Sequence, residues 1–239
     1  MKIPEHIHIT ETTAETRMVF EQIFTSYSTK YLLVVTSSSL KEKMSWLLDF
    51  LKKTVKKTKI LLLRKEDNQN ISKIGEQLKK YPYDFCVGIG GGKVLDTAKY
   101  ASFISSVRFI SFPTLLSHDG IASPVAVVKR GKHWSESKKA KSPYGVIVDL
   151  MTIASSPRLS LLSGIGDLTA NLFSSLDAEK FKDRNKEEYN QLAVNIAKTS
   201  ALLVFPHFAH ISINNISNND LKHLAWGLIL SGISMSIAF

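Results

Sequence analysis

Between Tyr31 and Phe112 the chain repeats one pattern, a short apolar run followed by an amphipathic segment, and few folds besides a layered α/β sheet can use it. Tyr31 to Thr36 (YLLVVT) has the valine- and leucine-rich texture of a buried strand. Ser39-Leu40-Lys41-Glu42 then has capping-box form and predicts a helix start, with Leu40, Met44, Leu47, Leu48 and Leu51 on one apolar face. Ile60 to Leu63 reads as a second strand, followed by a weaker helix carrying Ile71, Ile74 and Leu78. Phe85 to Ile89 is a third strand, running through glycines into a helix over Val94 to Ile104, and Arg108 to Phe112 is a fourth. Alternation of this kind predicts a parallel sheet covered by helices on both faces.

Ser123 to Lys129 and Gly145 to Asp149 add two strand-like runs around a basic loop. After Leu150 the strand signals vanish, and three helical blocks follow at roughly 151–182, 186–205 and 219–239, with a polar loop over Asn214 to Asn219. The expected architecture is therefore α/β: a Rossmann-like nucleotide-binding domain with a parallel sheet over 1–150, then an all-helical domain over 151–239.

Composition narrows the function classes. Cys86 is the only cysteine, which excludes an intrachain disulfide and a cysteine zinc cage and fits a cytoplasmic protein. The N-terminus lacks the apolar core of a signal peptide. The longest apolar run, Leu228 to Phe239, is interrupted by serines and a glycine and falls short of the ~20 residues a membrane span needs. It reads as a core helix. The net charge of +10 is concentrated in Lys52 to Lys59 and Lys129 to Lys141. Neither stretch interleaves aromatics as a nucleic-acid surface does, Trp134 excepted, so solvated faces are expected and no nucleic-acid partner.

The strongest local signal is Asp84-Phe-Cys-Val-Gly-Ile-Gly-Gly-Gly-Lys-Val-Leu-Asp96. Gly88, Gly90, Gly91 and Gly92 link a strand to a helix, where the backbone admits a diphosphate and the helix N–H groups point at it. It is not a Walker A loop, since Val94 after Lys93 offers no hydroxyl for magnesium. Lys93 also stands where the usual G-x-G-x-x-G fingerprint has its last glycine. Downstream, Ser111-Phe-Pro-Thr114-Leu-Leu-Ser117-His118-Asp119-Gly120-Ile-Ala-Ser123-Pro124 follows a strand, at the sheet end where open α/β sheets bind ligands. A hydrolase triad of Ser117, His118 and Asp119 is disfavoured, because sequence neighbours rarely point at one another. A hydroxyl-rich loop for a ribose or polyol fits better, against a polar turn held by its own hydrogen bonds. Asp167, after Gly164-Ile-Gly166, reads equally well as a ligand-binding carboxylate or as a helix N-cap over Leu168 to Phe173.

Together these segments resemble the sn-glycerol-1-phosphate dehydrogenases, a branch of the group that includes iron-containing alcohol dehydrogenases and dehydroquinate synthases. Gly-Gly-Gly-Lys-Val-Leu-Asp is shared across the group. Pro-Thr-x-x-Ser-His-Asp-Gly-x-x-Ser-Pro is specific to the branch. The resemblance implies reduction of dihydroxyacetone phosphate to sn-glycerol 1-phosphate with NADH or NADPH and a bound zinc ion, in archaeal-type phospholipid synthesis. It implies cofactor contacts at Gly90, Gly91, Gly92, Lys93, Val94, Leu95 and Asp96, at Thr114, Leu115, Leu116 and Ser117, and at Ser123. Asp119 would bind substrate; Asp167 would be the catalytic metal ligand and a second substrate contact. A homo-oligomer is also implied. Alternatives are a dehydroquinate-synthase-like lyase, against which the Ser-His-Asp-Gly run speaks, and a noncatalytic nucleotide-binding remnant.

The family's remaining zinc ligands are two histidines beyond the segment at Ser234, and the chain stops at Phe239. The helical domain is expected to be incomplete, with a complementing C-terminal fragment as a partner, weak activity of this chain alone, and Leu228, Ile229, Ile233 and Ile237 exposed on the last helix. His207 and His210 sit three apart, but no motif gives them a family role. His118 belongs to the cofactor-side motif.

Overall fold

The computed structural model describes residues 3–63, 70–130, 134–183, 189–208 and 216–238. Its centre is a six-stranded sheet of β1 (His6–Thr10), β2 (Tyr31–Ser37), β3 (Lys57–Leu63), β4 (Phe85–Gly90), β5 (Arg108–Pro113) and β8 (Gly145–Asp149). The spatial order is β1-β8-β5-β4-β2-β3, and every neighbouring pair is parallel. The order reverses between β2 and β4, with β5 and β8 lying beyond β4. β6 (Val125–Arg130) and β7 (Trp134–Lys139) stand apart as an antiparallel ribbon.

Alternation along the strands builds two cores. Leu32 and Val34 of β2 face helices α1 (Thr13–Ser26) and α2 (Ser45–Thr54), packing with Phe20, Ile23, Leu47 and Leu51. Leu33 and Val35 point the other way, toward α3 (Asn70–Lys80) and α4 (Gly92–Ile104). That second core continues without a break into α5 (Leu150–Ala154), α6 (Arg158–Lys180), α7 (Gln191–Leu202) and α9 (Asn218–Ala238); the short α8 (Phe205–Phe208) lies between the last two.

Several sequence expectations change. The capping box at Ser39 opens no α-helix. The Ser39 hydroxyl bonds the Ser37 hydroxyl at 3.0 Å instead of a helix N–H, Ser38–Leu40 forms one 3-10 turn, and α2 begins at Ser45. α6 runs unbroken through Gly164 and Gly166, so Asp167 lies mid-helix and is no N-cap. Leu228 and Ile229 are fully buried, and Ile233 and Ile237 half-buried, so the expected exposed face is absent. The reason is that α9 is clasped by α5, α6 and α7 and shares their core. α9 is long and apolar enough to cross a membrane, yet it is mostly buried within the protein, as a core helix is. Of the polar loop, Asn214 and Asn215 lie outside the described residues, as do His133 and His210, and Asn218 already opens α9. Lys52, Lys53, Lys56, Lys57 and Lys59 are exposed, the solvated face their spacing suggests.

Cys86 sits in the middle of β4 with no exposure, and burial pushes its thiol up to about 12 from an ordinary value of 9.0. A raised folded-state value means that the folded chain holds the proton more tightly. The resulting stability is fully present below pH 9.0 and is lost as pH rises toward about 12. Within that window the wild type should lose about 1.4 kcal/mol per pH unit relative to Cys86→Ala, read by urea unfolding. Parallel pH profiles for the two proteins would refute this.

Candidate active site

The glycine turn lies where the sequence places it. β4 ends at Gly90, Gly91 is the N-cap of α4, and Gly92 begins the helix. Gly91 has ordinary extended backbone, so space and not dihedral freedom sets the need for glycine there. A Cβ on Gly91 would stand 2.8 Å from Leu115 Cδ1, and one on Gly92 would stand 2.2 Å from His118 Nε2. Gly90 O accepts the Thr114 N–H at 3.0 Å, which ties the turn to the next strand end. The two predicted motifs are thus one surface, at the carboxyl ends of adjacent strands β4 and β5.

The segment after β5 folds into a 3-10 turn over Asp119–Ile121. His118 Nδ1 accepts the Gly120 N–H at 3.0 Å. A nitrogen that accepts carries no proton, so with this bond made the ring's proton is on Nε2, the nitrogen that a Cβ on Gly92 would meet. Asp119 is braced by the helical layer: its Oδ2 accepts the Ser231 hydroxyl at 2.8 Å and faces Asn171 Nδ2 at 3.5 Å. Asn171 Nδ2 also donates to Ser231 Oγ at 2.6 Å. The Asp119 N–H donates to Asp167 Oδ2 at 2.9 Å. Burial foremost, then the charge of Asp119, raises the Asp167 carboxyl above the usual carboxylate range, against the Asp119 N–H and His118, which pull it down.

Two glycines let the helices come this close. A Cβ on Gly164 of α6 would stand 2.3 Å from the Leu116 carbonyl oxygen, and one on Gly232 of α9 would stand 2.6 Å from Ser123 N. Asp167 lies one turn and Asn171 two turns further along α6, and Ser231 is the neighbour of Gly232, so close packing delivers all three to Asp119.

His118, Asp119 and Asp167 face a cavity of about 560 Å³. Of the residues singled out from sequence, Gly92, Lys93, Asp96, Asp119, Ser123 and Asp167 face it, together with His118 and Gly120. Gly90, Gly91, Thr114, Leu115 and Ser117 form the adjoining turn. Val94, Leu95 and Leu116 are buried in the core beneath it. Sequence reasoning missed the outer wall, which is Val125, Val127, Ser135 and Ser137 of the β6–β7 ribbon with Met235 of α9. It also missed the Ser231–Asn171 brace. No local signal marks these residues, because Ser231 is 112 positions from Asp119. Among the described residues, no cluster of three or more histidines, cysteines or carboxylates could hold a metal ion. A catalytic zinc site takes about three protein ligands, so this donor set does not fit a complete one.

A family model described as iron-containing alcohol dehydrogenase matches residues 14–157, which covers every strand of the sheet but β1 and the whole glycine turn. The chain belongs to the iron-containing alcohol dehydrogenase family. Among its relatives, the chain is 37% identical over 172 residues to glycerol-1-phosphate dehydrogenase [NAD(P)+] of Cenarchaeum symbiosum, covering 72% of this chain and 47% of that one. To the protein of the same name from Thermococcus sibiricus it is 36% identical over 180 residues, 75% of this chain and 51% of the other. The chain therefore spans about half the length of the curated relatives it matches.

Solved structures agree on the fold. A probable glycerol dehydrogenase from Sinorhizobium meliloti superposes with a TM-score of 0.81 at 19% identity, over 100% of this chain and 67% of that one. Sulfoacetaldehyde reductase from Bifidobacterium kashiwanohense, solved with NAD+, gives 0.77 at 17% identity over 99% of this chain and 66% of its own. The family's Rossmann-like sheet followed by helices is the architecture found here.

Proposed function

We propose that this chain is the dinucleotide-binding part of an NAD(P)H-dependent dehydrogenase that reduces dihydroxyacetone phosphate to sn-glycerol 1-phosphate. One observation carries the reading: the start of the α4 helix at Gly92 and the His-Asp-Gly loop line one cavity, with Asp167 bound to the Asp119 N–H beside them. In this reading 1–150 binds the nucleotide and 151–239 supplies Asp167 and the braces on Asp119. The setting is the cytoplasm, in phospholipid backbone synthesis, and the working form is a homo-oligomer.

The residues fit a dinucleotide. Gly91 offers no side-chain cap to α4, which leaves the first helix N–H groups for a diphosphate, and glycine at Gly91 and Gly92 lets Leu115 and His118 close over the turn. Gly90 to Asp96, Thr114 to Ser117, and Ser123 would bound that ligand, which supplies hydride when present. Asp119, held by Ser231 and Asn171, is preorganised to accept a substrate hydroxyl. His118, with its proton on Nε2, can donate to an anionic oxygen above the helix start. Asp167 would contribute one carboxylate to a divalent metal and contact substrate. Its Oδ2 is tied to the Asp119 N–H, which keeps the two carboxylates in register. The described residues do not complete a zinc site, so no step is assigned to the metal.

That incomplete donor set favours one second reading, a chain that binds dinucleotide without turnover by itself. Titration of the full chain with NADPH, followed by fluorescence, tests the first part. Saturable binding is expected, and folded protein that gives no change refutes it. Dihydroxyacetone phosphate with added zinc then separates the two readings: steady NADPH oxidation supports the dehydrogenase, and binding without oxidation supports the second. Asp119→Asn should leave NADPH affinity within about twofold while weakening triose phosphate binding about tenfold, the loss of one charged hydrogen bond. Unaltered triose phosphate binding would remove Asp119 from the substrate contacts.

A further inference from the structure

Beneath the cavity lies an ion pair that the reading above does not use. Lys99 of α4 is 1% exposed, although its side chain ends in a charge. Its ammonium donates to Gly120 O at 2.7 Å, to Val125 O at 2.6 Å and to Asp96 Oδ1 at 3.2 Å. An ammonium has three N–H donors, and here three acceptors meet it. The other Asp96 oxygen, Oδ2, accepts the Val127 N–H at 3.2 Å. Asp96 is also buried, at 4% exposure.

The targets of these bonds give the pair its meaning. Gly120 directly follows Asp119, and its N–H fixes His118. Val125 and Val127 belong to β6, the outer wall of the cavity. α4 begins at the glycine turn. One buried pair on one helix therefore ties the turn, the Asp119 loop and the ribbon together. Among the described residues β6 and β7 pair with each other and with no strand of the large sheet.

We propose that Lys99, held by Asp96, is the positioning residue of this site, fixing the Asp119 loop and the β6–β7 ribbon against α4. A hydrophobic residue would fill the same volume, but it would leave two backbone carbonyls and a carboxylate buried without their donor. The resemblance gives Asp96 a cofactor contact; each of its carboxylate oxygens also has a protein donor, Lys99 on Oδ1 and the Val127 N–H on Oδ2. Only the ligand arm of the test rests on the dehydrogenase reading.

The test compares wild type, Lys99→Met and the double variant Asp96→Asn/Lys99→Met by hydrogen exchange on the full folded chain. The double variant leaves no unpaired buried charge, so it keeps the question open if Lys99→Met does not fold. The expected result is exchange about tenfold faster across 119–128, with β4 and α9 within about twofold of wild type. A lysine that merely supports the core would instead raise exchange everywhere, β4 included. NADPH affinity, measured where circular dichroism shows all three proteins folded, should weaken about tenfold. Unchanged exchange at 119–128 in the double variant overturns the proposal, and so does unfolding of both variants, which would assign the pair to general stability. Should wild type bind no NADPH, the dehydrogenase reading fails, while the exchange result still decides the clamp.

Discussion

Gly164→Ala is expected to destabilise the folded chain by about 2 kcal/mol, while Gly166→Ala, two positions along the same helix, is expected to stabilise it by about 0.5 to 1 kcal/mol. Both glycines sit in the middle of α6, where alanine is the better helix former by up to about 1 kcal/mol. Nothing lies within 4 Å of a Cβ built on Gly166, so that gain is unopposed. At Gly164 the added carbon meets the Leu116 carbonyl oxygen at 2.3 Å and its carbon at 3.2 Å. These are backbone atoms, and Leu116 itself is fully buried, so neither can swing aside as the tip of a side chain could. The helix must back away from the loop. Overpacking of this kind costs roughly 1 to 3 kcal/mol, and the helix gain is set against it. Urea unfolding of the two variants reads the opposite signs directly. If both variants shift the same way, α6 does not lie on the Leu116 loop as described.

The same glycines show where sequence reading stops. Gly164-Ile-Gly166-Asp167 looks like a turn before a helix, because glycine is poor in helix interiors. What decides the matter is a contact with Leu116, 48 positions earlier than the Gly164 to Asp167 stretch by the spacing of Asp119 and Asp167, and no local pattern carries it. The strands β2, β4 and β5 were legible because each is a compact apolar run buried on both faces, and the glycine turn was legible because it joins one of them to a helix. β3 lies at a sheet edge with Lys57, Lys59 and Leu62 exposed, and only its apolar half, Ile60 to Leu63, was legible. β1 was not: His6-Ile-His-Ile-Thr alternates and lies at a sheet edge, half-buried along most of its length. β7, with the sequence WSESKK, has no apolar run at all and exists only through its pairing with β6. At the site, the motif residues were readable as a set and their supports were not. Asp119 stands out within a local motif, whereas Ser231 and Asn171, which hold it, are ordinary residues on distant helices. Lys99 reads as one more helix lysine until burial shows it to be paired.

Gly92→Val is expected to weaken NADPH binding about a hundredfold, near 2.7 kcal/mol, and to leave the fold intact. Gly92 is the first residue of α4, where a valine meets little of the crowding it finds in a helix interior. The cost falls on the cavity. A Cβ there stands 2.2 Å from His118 Nε2 and 3.1 Å from its Cε1, so the imidazole must turn away or the helix start must shift. Turning the ring breaks its bond to the Gly120 N–H and disturbs the loop that carries Asp119. The valine methyl groups then occupy the space over the first N–H groups of the helix, where a diphosphate would have to approach the backbone. A ligand held mainly by its phosphates at this turn cannot move along the helix to recover those contacts, so the loss is larger than for any single side chain around it. Isothermal titration with NADPH gives the affinity, and urea unfolding gives the control, with an unfolding free energy expected within about 1 kcal/mol of wild type. Wild-type affinity in a folded Gly92→Val protein would place the dinucleotide elsewhere on the sheet.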